Sequence, residues 1–583
     1  MISRRPLPRL SHSSESGHVF RSLKSYRVFI SLAFFPVIFL AIFFYIPLLS
    51  ILKEGLFDAS GHMTYQHIED ILHDSYTRRV IGFTLKQAAL STLLTFFLGF
   101  PGAYLVAKFR FPGKSLVKAV TTVPFVLPSI IVSLGFILLF GNNGVLNKSL
   151  MAFFRLDAPP FRILYSLKAI ILAHAFYNFP LVVRLVSAVW SSIDPRIEDA
   201  ARSLGAKSSQ VFWHVTLPMI APGIAASLAL TFIFSFMSFA VVLVLGGVKF
   251  ATIEVSIYTL MTVLLDYKMG SALAIIQSLF SLSFMFFYAK VLDLGKRTEK
   301  VAVEELTEKP RLITTPRDLL SRKGLLVVMY VCMIVVLIVG PVLAVLSFSL
   351  VHYDGKQAIF SLASYYKIFT MPYTPILGTT PLQSIRNSLF FGIMTVFFSL
   401  PLGVCIAFLL TRTTFPFKNV FDAVVMLPLG ISSICLGLGY VRSFHKPPLM
   451  LSGTWYAIVC AHTIIAYPFV MRAVSPILKK MKTSVIDAAM SLGATRTQAF
   501  FLIELPIVKP GILVGATFAF AVSIGELGAT YMLYRPHLTT MPISIYRFLS
   551  AHDLVGASAM GVVLILVCTL LFVAIEKTGY KTF

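Results

Sequence analysis

Twelve stretches of this chain, each roughly 18 to 25 residues long and nearly free of charge, are long enough to cross the hydrocarbon core of a bilayer as helices. They lie near 28–52, 81–107, 119–140, 168–190, 225–247 and 269–292, and then near 324–350, 385–410, 420–441, 456–474, 513–534 and 555–575. Hydrocarbon offers a backbone no water to bond with, so runs of this length are predicted to be helical. Pro101, Pro124, Pro128 and Pro180 interrupt several of them, which membrane helices tolerate when neighbours satisfy the freed groups. Composition agrees: 57% hydrophobic residues, 13% charged and a mean hydropathy of +0.84 leave too little polar surface to coat a soluble globule of 583 residues. The expected class is an all-α integral membrane protein.

The formal charge of +25 does not point to nucleic acid. The cations sit in short loops between apolar runs, as expected where Lys and Arg hold loops on the cytoplasmic side. Lys108, Arg110, Lys114 and Lys118 mark one such loop, and the basic stretch 1–27 marks another. Threading the spans from there makes 191–224, the linker 293–323 and both termini cytoplasmic. The loop 53–79, with five acids against three bases, falls outside. The run from Val28 lacks a small-residue cleavage site and reads as a retained first helix. Cys332, Cys405, Cys435, Cys460 and Cys568 show no CxxC spacing and read as small buried hydrophobes.

The chain repeats itself. "EDAARSLGA" begins at Glu198 and "IDAAMSLGA" at Ile486; His174, Pro180 and Arg184 recur at His462, Pro468 and Arg472, and Ile257-Tyr258 at Ile545-Tyr546, all at an offset of 288. Upstream the pairing continues at 304, where "FPGK" at 111–114 answers "FPFK" at 415–418 and Pro124 answers Pro428. A constant offset over this distance marks a tandem duplication. The expected organisation is a basic tail (1–27), a six-span repeat (28–292), a polar linker (293–323) and a second six-span repeat (324–583). Parallel repeats relate through a pseudo-two-fold axis along the membrane normal, with a path for cargo between them.

The repeated segment falls between the fourth and fifth spans of each half. It reads as a short helix (Ile197 to Leu204), a glycine break, a second helical stretch (Gln210 to Val215) and a Leu-Pro stop. Small side chains at Ala200 and Ala201 would let another backbone approach. Asp199-Ala200-Ala201-x-x-x-Gly205 with Leu217-Pro218, and Asp487-Ala488-Ala489-x-x-x-Gly493 with Leu505-Pro506, resemble the "EAA" loop of the permeases of binding-protein-dependent ABC importers, with Asp where Glu is usual. The resemblance covers nearly the whole chain, each half resembling one six-span permease, and implies the type I ABC importer permease fold. It also implies coupling helices that seat two copies of an ABC ATPase subunit, an extracytoplasmic binding protein docking on the loops near 53–79, 141–167, 247–268 and 351–383, and a bacterial inner-membrane location. No cofactor is expected on this chain; ATP and Mg would be held by the partners. "FPGKS" at 111–115 ends like a P-loop, but Lys108 stands where the first glycine belongs.

Signals for cargo are fewer. Glu526, in the eleventh span, is an acid inside an apolar run and so a functional candidate; its repeat mate is Ser238. His174 and His462 lie on matched spans as candidate ligands or packing groups, and Glu254, in the outer loop of the first half, reads as a solvated or docking residue rather than a ligand. "ILAHAFYNFPLVVRL" (171–185), "SFAVVLVLGG" (238–247) and "SIGELGATYML" (523–533) resemble the thiamine permeases, in which both halves are fused; related fused permeases carry ferric iron, and more distant ones polyamines, sulfate or molybdate. An acid at 526 suits a cation and opposes sulfate. The rival reading, an ion-driven secondary carrier, needs charged relay residues in several spans, and few exist besides Glu526. A membrane enzyme would need clustered catalytic residues at one face, which the spacing does not supply.

Overall fold

The computed structural model describes residues 33–298 and 321–579, apart from 59, 110, 112–113, 115–116, 118–126, 248, 355–356 and 414. The basic tail 1–27, most of the linker 293–323, the start of the third span and part of "FPGK" therefore lie outside the described residues.

Eleven described helices are long and apolar enough to cross a membrane, and twelve when one bent pair counts as a single span. The seventh (Arg322–Ser349) has the most apolar window, with mean hydropathy 2.9, and only 22% of that window is buried by protein. The fourth (Leu167–Ser191) and tenth (Trp455–Lys480) are 72% buried over theirs. That contrast separates helices that meet lipid from helices that form the centre. Each half is built on three mutually packed helices: Ser75–Lys108, Leu167–Ser191 and Leu217–Phe236 in the first, Pro381–Arg412, Trp455–Lys480 and Leu505–Gly525 in the second. The duplication is visible bond by bond. Ile253 N donates to Thr84 Oγ1 at 3.0 Å, and its counterpart Met541 N donates to Ser388 Oγ at 2.8 Å.

The halves clasp each other. The first span (Ala33–Leu56) packs on Ser433–Ser443 of the second half, and the seventh packs on Ser129–Phe140 of the first. Glycine permits both crossings: a Cβ on Gly439 would lie 2.8 Å from Pro47, and one on Gly135 would lie 2.7 Å from Pro341. Polar bonds tie the same seam. Tyr45 O–H donates to Val424 O at 2.9 Å, and Arg442 Nη2 pairs with Glu54 at 2.8 Å while its guanidinium lies over the Tyr267 ring.

Several sequence expectations change here. The ninth span is not straight: Lys418–Gly430 and Ser433–Ser443 meet at 97°. Pro428 lacks an N–H to continue the ladder, and Ser432 Oγ starts the new helix by accepting from Cys435 N. The fifth and eleventh spans are displaced toward the repeated loops. They run Ser208–Phe236 and Thr497–Gly525 and break before the short helices Ala240–Leu245 and Gly528–Leu533. Neither Leu217-Pro218 nor Leu505-Pro506 is a stop. A wide π turn at Phe212–Thr216, and another at Phe500–Glu504, carries the chain directly into the next helix, which tolerates proline in its first turn. The loop after the seventh span also holds a small antiparallel hairpin, Val351–Asp354 with Gln357–Phe360, a departure from purely helical structure. Cys332 is exposed, whereas Cys435 and Cys568 are buried; all five cysteines are free thiols.

Candidate functional site

The displaced breaks put Ser238 and Glu526 at equivalent points, where one helix ends and a short one begins. Both line a cavity of about 320 Å³ between the halves. Its wall also takes the mates Ser129 and Ser433, the rings of Phe469 and Phe518 from the second half, and His174 and Asn178 from the first. Glu526 is the only carboxylate among the described lining residues.

Glu526 is not mid-helix, as its position in an apolar run suggests, but held at a broken backbone. Its Oε1 accepts from Ala529 N at 3.1 Å, and its Oε2 accepts from Thr530 N and Thr530 Oγ1, each at 2.9 Å. The carboxylate thus caps the helix Gly528–Leu533, whose N-terminal dipole favours negative charge. His462 stands behind it, with Nε2 2.7 Å from Thr530 Oγ1 and 3.6 Å from Glu526 Oε2, and Nδ1 2.7 Å from Ser523 Oγ. Counting protons orders this chain. For a neutral imidazole with the Thr530 proton on the carboxylate, Thr530 Oγ1 accepts from His462 Nε2–H and Nδ1 accepts the Ser523 proton; a protonated ring would donate from both nitrogens. Thr395 Oγ1, 3.0 Å from Ser523 Oγ, completes it by donating. His462 is therefore a buried orienting group for Glu526 and does not line the cavity.

Its mate behaves differently. His174 Nδ1 meets Ser91 Oγ at 3.1 Å, while Nε2 is buried with no hydrogen-bond partner among the described residues. Asn178, one turn on, donates to Ser235 Oγ at 3.3 Å, and its Oδ1 likewise has no partner. Both residues belong to the cavity wall. Asn178 escaped the sequence reading because its mate is Ala466, and pairing by repeat favours positions that match.

Glu254 corrects the expectation of a solvated or docking loop residue. It is 1% exposed, on the helix Ile253–Thr262, and accepts from Gln277 Nε2 at 2.8 Å and from Ser432 Oγ of the second half at 2.6 Å. A buried carboxylate without such donors would be costly, so these two bonds make it a joint between the halves.

At the far end from these breaks, the repeated loops project from the bundle. The first carries the helix Pro195–Ser203, started by Asp194 accepting from Arg196 N, and the second the helix Thr483–Ser491. Each is followed by a glycine in the left-handed region, φ +89° at Gly205 and +94° at Gly493. Asp199, Ala200, Asp487 and Ala488 are exposed, and Ala201 and Ala489 half-buried. Asp199 is occupied locally, its Oδ1 2.7 Å from Arg202 Nη1. The acid that anchors the first loop is Glu198, which accepts from Lys108 Nζ at 2.7 Å and Thr216 Oγ1 at 2.9 Å. In the second half Ile486 replaces Glu198, and the acid has moved to Glu504, the mate of Thr216, 3.5 Å from Arg412 Nε. Leu204 and Leu492, mates, are both 89% exposed, and Trp213 and Phe501, also mates, are exposed beside them. Two copies of one apolar tip, each presented by a glycine turn, thus stand exposed at matched places in the two halves.

Comparison with known proteins follows the same division into halves. The sequence matches the family described as binding-protein-dependent transport system inner membrane component over residues 99–293 and again over 322–577. It is 26% identical over 517 residues to the thiamine transport system permease protein ThiP of Brucella abortus, covering 87% of this chain and 88% of that one. It is 25% identical over 509 residues to ThiP of Escherichia coli, covering 87% and 90%. A putative ferric transport system permease protein of Haemophilus influenzae is 25% identical over 532 residues, covering 88% of this chain and 78% of the other.

Proposed function

The chain belongs to the family of binding-protein-dependent transport system inner membrane components, and on that premise we propose that it moves thiamine or a thiamine phosphate through the cavity faced by Glu526 and Ser238. It is a multi-pass membrane permease, a transport subunit rather than an enzyme. The observation that carries the cargo reading is the state of Glu526: one carboxylate, fixed by Ala529, Thr530 and His462, in a cavity walled by aromatic rings. A single preoriented anion among rings suits an organic cation with a flat apolar body. A bare trivalent metal ion prefers several hard oxygen ligands, whereas Glu526 is the only carboxylate among the described lining residues. The ferric relative of Haemophilus influenzae supports iron as the second reading.

In this reading a loaded binding protein docks on the outer loops, and two ATPase subunits seat on the loops around Asp199 and Asp487, where ATP and Mg are bound. Gly205 and Gly493 present those helices, and Leu217-Pro218 and Leu505-Pro506 join them rigidly to the fifth and eleventh spans. ATP binding draws the two loops together and turns the cavity outward, with both termini cytoplasmic. The transporter changes state only as far as ATP and the loaded binding protein prefer one state to the other.

Uptake of labelled thiamine, with ferric iron in parallel, tests the reading in cells with and without this chain, its ATPase and its binding protein. Thiamine uptake that needs all three and is abolished in Glu526→Gln is the expected result. Iron uptake without thiamine uptake overturns the cargo assignment, and uptake that persists without any ATPase overturns the importer mechanism in favour of a secondary carrier.

A further inference from the structure

Tyr258 and Tyr546 are repeat mates, one on the helix Ile253–Thr262 and one on Met541–Ser550. They meet through a third ring. Tyr531 lies edge-to-face with Tyr258 at 5.2 Å and 71°, and with Tyr546 at 5.4 Å and 88°. A ring that touches both members of a repeat pair sits where the halves' axis passes, so the trio lies across the axis. Tyr531 comes from the second half alone; its own mate is Leu243.

The trio is joined to the cavity on two sides. Phe239, which lines the cavity, packs against Tyr258 with centroids 5.6 Å apart. Tyr531 belongs to the helix Gly528–Leu533, whose N-terminus Glu526 caps. The ring and the carboxylate are thus fixed to one short rigid element and move together. All three tyrosines are only half-buried, so their faces border open space, and Tyr534 with Arg547 over its ring flanks them.

Resting on the cargo reading above, we propose that Tyr531, flanked by Tyr258 and Tyr546, is an aromatic station at the outer end of the path. Empty, the three rings close the axis on one another; when the halves part, a planar aromatic cation stacks between them before its charge reaches Glu526. Edge-to-face contacts of this kind are weak enough to exchange for cargo, and a cation over a tyrosine face gains more than a neutral ring does.

The test uses the whole importer in proteoliposomes, with loaded binding protein outside, and reads labelled thiamine delivered per ATP hydrolysed. Losing one cation–ring contact in Tyr531→Leu, which installs the first half's residue, is expected to lower that ratio about tenfold. Tyr531→Phe, which keeps the ring, is expected to stay within about twofold of wild type. Tyr258→Leu is read the same way, so the test survives if Tyr531→Leu fails to assemble. Thiamine delivery per ATP unchanged in both leucine variants, or a phenylalanine variant as poor as leucine, overturns this proposal alone. Wild-type vesicles that import iron and no thiamine overturn the cargo reading and take this proposal with it.

Discussion

Replacing Gly205 and Gly493 by alanine isolates backbone conformation from packing at the repeated loops. No atom lies within 4 Å of where a Cβ would stand at either position, while φ is +89° and +94°. The added methyl therefore meets no neighbour, and its cost is the left-handed conformation itself, about 1–2 kcal/mol per residue. In the free protein an exposed loop can relax to another φ and avoid that cost. Docking of an ATPase subunit on the native loop shape restores it, so the cost appears in association. At about 1.4 kcal/mol per tenfold, each alanine lowers the affinity of its own site roughly tenfold, so the double variant weakens both sites and the product of the two constants falls roughly a hundredfold. Global unfolding is expected to be unchanged. The assay is titration of labelled ATPase subunit against the chain held in nanodiscs, with uptake measured beside it. Gly205→Pro with Gly493→Pro, which forbids positive φ altogether, is expected to uncouple hydrolysis from uptake. Wild-type ATPase affinity in the double alanine variant would show that the native loop shape is not what the partner recognises.

Three other outcomes follow from bonds described above. His462→Ala takes one partner each from the hydroxyls of Ser523 and Thr530 and is expected to cost about 1–3 kcal/mol in thermal unfolding, more than His174→Ala, which removes one bond; equal shifts would contradict the assigned network. Double-mutant cycles should give a larger coupling for Lys108 with Glu198, at 2.7 Å, than for Arg412 with Glu504, at 3.5 Å, with the first of order 1–3 kcal/mol in denaturation; a larger value in the second half would count against loop-specific anchoring. Glu254→Leu leaves Gln277 and Ser432 without their acceptor and is expected to destabilise the chain by about 1–3 kcal/mol, more than Glu254→Gln; a leucine variant as stable as wild type would rule out its role as a joint.

What could be read from sequence was whatever repeats or has a period. Apolar runs located the helices because a bilayer accepts little else, and the 288 offset located the paired loops because both copies keep Ala-Ala and Gly at matched places. The breaks at Ser238 and Glu526 were not legible. Residues 225–247 and 513–534 are apolar throughout apart from single polar positions, and the chain is held open there by distant groups: Gln87 donates to Ser235 O across 148 residues, and Thr395 reaches Ser523 across 128. The burial of Glu254 is illegible for the same reason. An acid in a polar-flanked connection looks solvated until a serine 178 residues away proves to be its donor. The Leu-Pro pairs read as stops because proline usually punctuates a helix, whereas here a π turn precedes each.

The clasp between the halves also bears on how the chain is made. The first span is synthesised early, yet Tyr45 finds its acceptor, Val424, only 379 residues later. At 5–20 residues per second, about 20 to 75 s separate the two on the ribosome. During that interval the first span holds its Pro47 turn open to lipid, without the Gly439 seat that will receive it. The same wait accounts for the unbroken apolar run 33–44 ahead of Tyr45, since a face polar enough to prefer protein would have no partner while the membrane is its only solvent.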